Sequence, residues 1–193
     1  TLLIYMLGFK KNKNEVDYDK IKNRNFDVDL ILSKLQKFLC IHIENQIKYG
    51  ADVVQVFDSW AGLISPEDMS KYCYIPNLKI VEFCKRKKIP VICFPKGIKK
   101  NYKDFNDLVK PDGLNIDYDV DVEWSKANLK NTVIQGGLNP KILLLPEEEI
   151  IINAKKYFDA YKGLPYVFNL GHGILPNTDP DKVGKLIKFY KEY

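Results

Sequence analysis

The sequence predicts an α/β fold built on parallel strands, and three observations lead there. Short apolar runs alternate with longer amphipathic stretches along the chain. The short runs are apolar almost without interruption, as strands covered on both faces must be. About six such β-α units follow in series, which calls for right-handed crossovers within one sheet. No G-x-G-x-x-G follows the first run and no P-loop occurs, which disfavours the nucleotide-binding form of an open sheet. A closed eight-stranded barrel takes about 250 residues. The 193 residues therefore predict an incomplete (β/α)8 TIM barrel of about six units, lacking its first one or two.

The strands are expected at residues 2–7, 53–57, 91–94, 113–116, 132–135 and 166–170. Polar residues 10–25 form a long connection, read as a loop and a weak helix start. Leu32, Leu35, Phe38, Leu39, Ile43 and Gln46 then line one helix face, with Gly50 where a terminating glycine belongs. Ser65-Pro66-Glu67-Asp68 opens the next helix with a cap residue, a first-turn proline and early acids. Pro146 followed by Glu147, Glu148 and Glu149, with Lys155 and Lys156 towards the far end, suits the helix dipole. The last helix begins at Thr178-Asp179-Pro180 and carries Val183, Leu186, Ile187 and Tyr190 on one stripe. The helices after the third and fourth strands are shorter.

Composition excludes several classes of function. No apolar run reaches the roughly 18 residues that span a bilayer. Residues 1–7 lack a basic leader and a small-residue cleavage site, and a chain that opens inside an apolar run without Met reads as a piece of a longer one. The net charge of +5 comes from lysines spread among 25 acidic residues; Arg24 and Arg86 are the only arginines. No basic stripe with interleaved aromatics emerges, so nucleic acid is not the expected partner. Cys40, Cys73, Cys84 and Cys93 show no zinc-type spacing and read as core thiols of a reducing compartment.

In β/α folds function sits at the carboxyl ends of strands. The polar residues expected there are Tyr5, Asp58 and Ser59, Lys96, Asp117, Gln135, and Asn169 with His172. His172 is the sharpest of them. Gly171 and Gly173 flank it and allow close backbone approach, and Pro176 stiffens the exit. It reads either as a ligand-binding group or as a loop histidine bonded to backbone. His42 lies on the apolar helix face and is expected to pack. Ser59 lacks G-x-S-x-G and a neighbouring base, which favours a binding hydroxyl over a nucleophile. Asp58 either orients a neighbour or caps the next turn. Lys96 either meets an anion or faces solvent.

Four motifs carry a family resemblance. They are Gly50-Ala51-Asp52 through Phe57-Asp58-Ser59-Trp60-Ala61-Gly62, then Phe94-Pro95-Lys96-Gly97, Gln135-Gly136-Gly137-Leu138-Asn139-Pro140, and the Asn-Leu-Gly-His-Gly-Ile-Leu-Pro stretch at 169–176. In order and spacing, from Tyr5 onward, they resemble the uroporphyrinogen decarboxylase family. The resemblance implies a cofactor-free carboxy-lyase of haem and tetrapyrrole biosynthesis on a (β/α)8 barrel, usually a homodimer. Its substrate is uroporphyrinogen, whose four acetate groups lose CO2 to give coproporphyrinogen. Residues 1–193 then form the C-terminal part of a single barrel domain. Tyr5, Ser59 and His172 match family residues that line the substrate cleft. The family's central aspartate and carboxylate-binding arginines belong to an N-terminal portion outside this sequence, so no catalytic residue is assigned here and this stretch alone is expected to be inactive. Cytosol and a plastid-type organelle both suit the family. Two positions depart from it: Gly137 stands for Asn and Asn139 for Asp, which predicts a less ordered loop.

Two other readings compete with it. Zinc-dependent corrinoid methyltransferases resemble the same superfamily and use a His-x-Cys pair plus a later Cys. Here Cys93 and Pro95 fall where the pair belongs, and the later loop carries His172 without a Cys. A non-catalytic tetrapyrrole-binding barrel is the third reading.

Overall fold

The computed structural model describes residues 1–12, 15–17, 20 and 27–193. The architecture is α/β, with parallel strands linked through helices, and is that of an incomplete barrel. The chain divides into two compact units, residues 1–113 and 114–193.

The first unit opens with helix α1, Leu2–Met6, where the sequence predicts a strand. Short apolar runs do not distinguish a strand from a buried helical turn. Leu3 and Ile4 are buried while Tyr5 and Met6 point outward, a helical division of the run. Strands β1, Lys10–Asn12, and β2, Glu15–Val16, pair antiparallel within the expected loop. The rest of that connection, including its expected helix start, lies largely outside the described residues.

Helix α2, Val28–Lys48, starts where Asp27 accepts hydrogen bonds from the amides of Asp29 and Leu30, which satisfies two first-turn donors. It ends at Tyr49, followed by Gly50 at φ +95°. Strand β3, Val54–Phe57, follows. The Pro66–Asp68 segment forms a 3-10 turn, and a π-helical turn at Ser70–Tyr74 leads into helix α3, Ile75–Arg86. Strand β4, Val91–Phe94, pairs parallel with β3, from Val54↔Val91 to Phe57↔Phe94. Helix α4, Tyr102–Val109, completes the unit. Asp112 accepts the Val91 amide at 2.9 Å and ties the end of the unit to the start of β4.

Cys73, Cys84 and Cys93 are buried in this unit and Cys40 is half-buried, all as free thiols, in line with the core role expected of them. Burial raises the pKa of Cys84 to about 11 and that of Tyr74 to about 12, and it pushes Cys73 and Cys93 further up still. Between pH 9 and these raised values the folded chain keeps protons that the unfolded chain has lost. Stability is therefore fully present below about pH 9 and declines as pH rises through the alkaline window. Chemical denaturation at pH 8 and pH 10.5 is expected to differ by about 1 kcal/mol or more in that direction. Equal stability at both would show that the thiols are more accessible than the packing indicates.

The second unit takes up strand β5, Gly113–Ile116, from its second residue. Helix α5, Val122–Asn128, is capped by Asp121, which accepts from the Trp124 amide. Strand β6, Val133–Gly136, lies between β5 and strand β7, Tyr166–Val167. The β6–β7 register is Ile134↔Tyr166 and Gln135↔Val167, and one further bridge joins Leu138 to Leu170. Among the described residues five parallel strands thus stand where six were expected, the first expected strand being helix α1. Helix α6, Glu147–Ala160, has its three glutamates in the first turn, and helix α7, Pro180–Glu192, is capped by Asp179. Leu138, Leu143, Ile150, Ala154, Phe158 and Leu186 form the core, with Val183 packed against it. Ile187 and Tyr190 of the expected stripe are about half exposed.

Candidate functional site: loops after the strands

In the first unit the loop after β3 is built around Asp58. Its Oδ1 accepts from Thr1 Oγ1 at 2.6 Å, and its Oδ2 accepts from Asn77 Nδ2 at 3.3 Å. Thr1 Oγ1 in turn accepts the Trp60 amide at 2.8 Å. The Asp58 carbonyl also accepts the Ala61 amide, which closes the turn. The Asp58 side chain therefore anchors α1 and α3 and orients its neighbours; it does not cap the next turn, whose first residue follows Trp60 with no side-chain cap. Ser59 stands beside this hub, half-buried, and its hydroxyl makes no hydrogen bond to the described residues. With both Asp58 oxygens engaged elsewhere, a serine nucleophile has no base here.

Tyr5 lies on α1, not at a strand end, and is 72% exposed. Its ring centroid is 5.8 Å from that of Trp60, so the fold brings Tyr5 next to the Ser59 loop. Lys10 sits over the Trp60 ring at 4.1 Å. Sequence reasoning missed Trp60 as the residue that joins these pieces; only its place directly after Ser59 hinted at it. His42 corrects another expectation. It is exposed, and with Leu39 and Ile43 it lines a cavity of about 290 Å³ between α2, β3 and α3.

The loops after β3 and β4 are locked together. Asp58 N donates to the Phe94 carbonyl at 2.9 Å and Lys96 N to the Asp58 carbonyl at 3.2 Å, which continues the parallel ladder past the strands. Gly62 N donates to the Lys96 carbonyl at 2.8 Å. A Cβ on Gly62 would lie 2.4 Å from the Gly97 carbonyl oxygen, so only glycine fits.

His172 belongs to the second unit. It is exposed, in a loop held by backbone bonds from Gly171 N to the Leu138 carbonyl at 2.8 Å and from Leu138 N to the Asn169 carbonyl at 3.3 Å. A Cβ on Gly171 would fall 2.3 Å from the Tyr118 nitrogen. Asn169 turns its own Oδ1 onto the Leu170 amide. Gln135 and Asp117 are buried instead of lining an open rim. Gln135 Nε2 donates to Asn115 Oδ1 at 2.7 Å, and Asn115 Nδ2 donates to the Ile116 carbonyl at 3.1 Å. This buried amide pair holds β5 to β6, and Asn115 was hidden in the sequence inside an apolar run.

The loop carrying Gly137 and Asn139 is tied down, contrary to the looser loop expected. Asn139 Oδ1 accepts the Lys141 amide at 2.9 Å, a capping task an aspartate would also perform. Tyr157 and Tyr166 donate to the carbonyls of Gly137 and Gly136 at 2.8 and 2.6 Å. At Gly137 a Cβ would meet the Asp117 carbonyl oxygen at 2.8 Å, so the glycine permits a close contact that tightens the loop. Among the described residues no group of three or more His, Cys, Asp or Glu is placed to hold a metal ion, and no helix is long and apolar enough to cross a membrane.

The strand-helix units define a stretch of parallel β/α barrel, with Tyr5 beside the Ser59 loop in the first unit and His172 on the loop after β7 in the second. A family description, uroporphyrinogen decarboxylase (URO-D), matches residues 1–193, and the chain belongs to that family. A uroporphyrinogen decarboxylase of Orientia tsutsugamushi (strain Ikeda) is 38% identical over 199 residues, covering 100% of this chain and 58% of that protein. One of Wolbachia sp. subsp. Brugia malayi (strain TRS) is 35% identical over 194 residues, covering 99% and 55%. The chain thus spans about half the length of the curated relatives it matches. Among solved structures, a methyltransferase from Methanosarcina mazei superposes with a TM-score of 0.72 at 20% identity, over 92% of this chain and 54% of that one, a likeness of fold.

Proposed function

We propose that the protein containing this chain is a uroporphyrinogen decarboxylase, removing CO2 from the four acetate side chains of uroporphyrinogen III to give coproporphyrinogen III. The observation that carries the reading is the family match over the whole of residues 1–193. On this reading residues 1–193 are the C-terminal part of one barrel domain. Simple loss of CO2 from an acetate would leave an unstabilised carbanion. Protonation of the pyrrole carbon beside the acetate turns the ring into an electron sink, and net one proton replaces each CO2. A site for this chemistry has to hold carboxylates and stabilise a transient ring cation. Tyr5, Ser59 and His172 supply hydrogen-bond donors for the substrate's carboxylates. Proton delivery falls to residues outside this chain, so residues 1–193 alone should not turn over. A homodimer in the cytosol or a plastid-type organelle, working without a cofactor, fits the family.

An anaerobic decarboxylation assay of the full-length protein tests this. Tyr5→Phe and His172→Asn are each expected to raise KM about tenfold, the cost of one hydrogen bond to a charged group. If the unaltered full-length protein left uroporphyrinogen intact, or if residues 1–193 alone decarboxylated it, the reading would fall. Unchanged kinetics in both variants would remove these two residues from the site.

A further inference from the structure

We propose that Lys96 is a further substrate-binding residue, a cation that holds a tetrapyrrole carboxylate beside Ser59; this rests on the decarboxylase reading. The β3–β4 register ends at Phe57↔Phe94, and the bonds from Asp58 N to Phe94 O and from Lys96 N to Asp58 O carry the ladder on to Asp58 and Pro95. The next pair along is Ser59 and Lys96. Both lie in the turns that leave the strands, and Lys96 N is shared between the Asp58 and Phe94 carbonyls, at 3.2 and 3.0 Å, so the two turns start side by side. Phe57 is 62% exposed and Phe94 3%, so the end of β3 is open to a ligand, and Ser59 and Lys96 just past the strands are both half-buried.

The placement is rigid. Gly62 N holds the Lys96 carbonyl, and Gly62 and Gly97 touch backbone to backbone on either side of it. Such fixing of a short loop is out of proportion to a merely solvated lysine. The charge is also uncompensated. Most lysines without an ion pair are exposed; of the half-buried ones, Lys126 pairs with Glu123, Lys182 donates to the Leu144 and Leu145 carbonyls and Lys10 lies over Trp60, whereas Lys96 makes no side-chain contact of these kinds among the described residues. Asp58, the acid in the adjoining loop, is already engaged by Thr1 and Asn77. An ammonium without a counter-ion next to a hydroxyl without a partner makes a two-donor seat for one carboxylate.

The test uses full-length protein with Lys96→Met and Lys96→Arg. The Met variant should raise KM for uroporphyrinogen about tenfold with kcat within about twofold, and Arg should restore most of the loss. A parallel titration follows fluorescence quenching of the octacarboxylate uroporphyrin and does not depend on turnover. There Lys96→Met should weaken binding about tenfold, and low salt should widen the gap. Unchanged KM and unchanged uroporphyrin affinity in Lys96→Met would overturn the assignment. So would an equal loss in Met and Arg accompanied by an equal drop in melting temperature, which marks a structural role. Failure of the unaltered protein to decarboxylate would sink the decarboxylase reading instead, and the titration would still judge Lys96.

Discussion

Replacing Gly171 with alanine is expected to destabilise the protein by about 2–3 kcal/mol and to weaken substrate binding through the displaced His172. The added Cβ would lie 2.3 Å from the Tyr118 nitrogen, 2.8 Å from its Cα and 2.9 Å from the Asp117 carbonyl carbon. All three are main-chain atoms, so no side chain can rotate away. The 169–173 segment has to lift off the loop after β5, which strains the Gly171 bond to Leu138. Gly173 is the matched control. Nothing lies within 4 Å of a Cβ there, and alanine should cost under about 0.5 kcal/mol. Thermal melts and KM of the two full-length variants make the comparison. Equal melting temperatures would mean that the Tyr118 contact yields readily, and the loop would then not be held as described.

The second large effect is expected at Asp58. Alanine there strips the acceptor from part-buried Thr1 Oγ1 and removes one of the acceptors of buried Asn77 Nδ2, which keeps the Cys73 carbonyl at 2.8 Å. An orphaned donor of this kind costs about 1–3 kcal/mol, less where water can enter, so a loss of about 2 kcal/mol is expected. Asparagine fills the same volume but presents a donor to one of two donors, and should recover only part of the loss. Because Thr1 Oγ1 also holds the Trp60 amide, the change should reach the Tyr5–Trp60 ring contact. Denaturation curves together with tryptophan emission, read against a Trp124→Phe background, test this. A destabilised variant with unchanged Trp60 emission would confine Asp58 to anchoring α3.

The strands from 54 to 136 were legible because each is a short apolar run with one register that buries it, and their bounds hold to within a residue. Residues 2–7 misled because every one of them is apolar or aromatic, so the run shows no period even though the helix leaves Leu2, Tyr5 and Met6 exposed. The motif loops were legible as loops, and their glycines as points of close approach. What hides from a sequence is which polar group is occupied. Gln135 and Asp117 look like rim residues, yet they are buried, and Gln135 is spent on Asn115. Tyr5 reaches the Ser59 loop through a helix and a tryptophan ring, a route that no spacing encodes.

The contact between Gly62 and Gly97 has an evolutionary consequence. Most tight packings can drift, because a larger side chain on one element is accommodated by a smaller one opposite. Here the atom in the way is a carbonyl oxygen, which every amino acid possesses. No second substitution at Gly97 can open space for a side chain at Gly62. A lineage that loses Gly62 has one route back, reversion, and the geometry between Ser59 and Lys96 is shielded from gradual change.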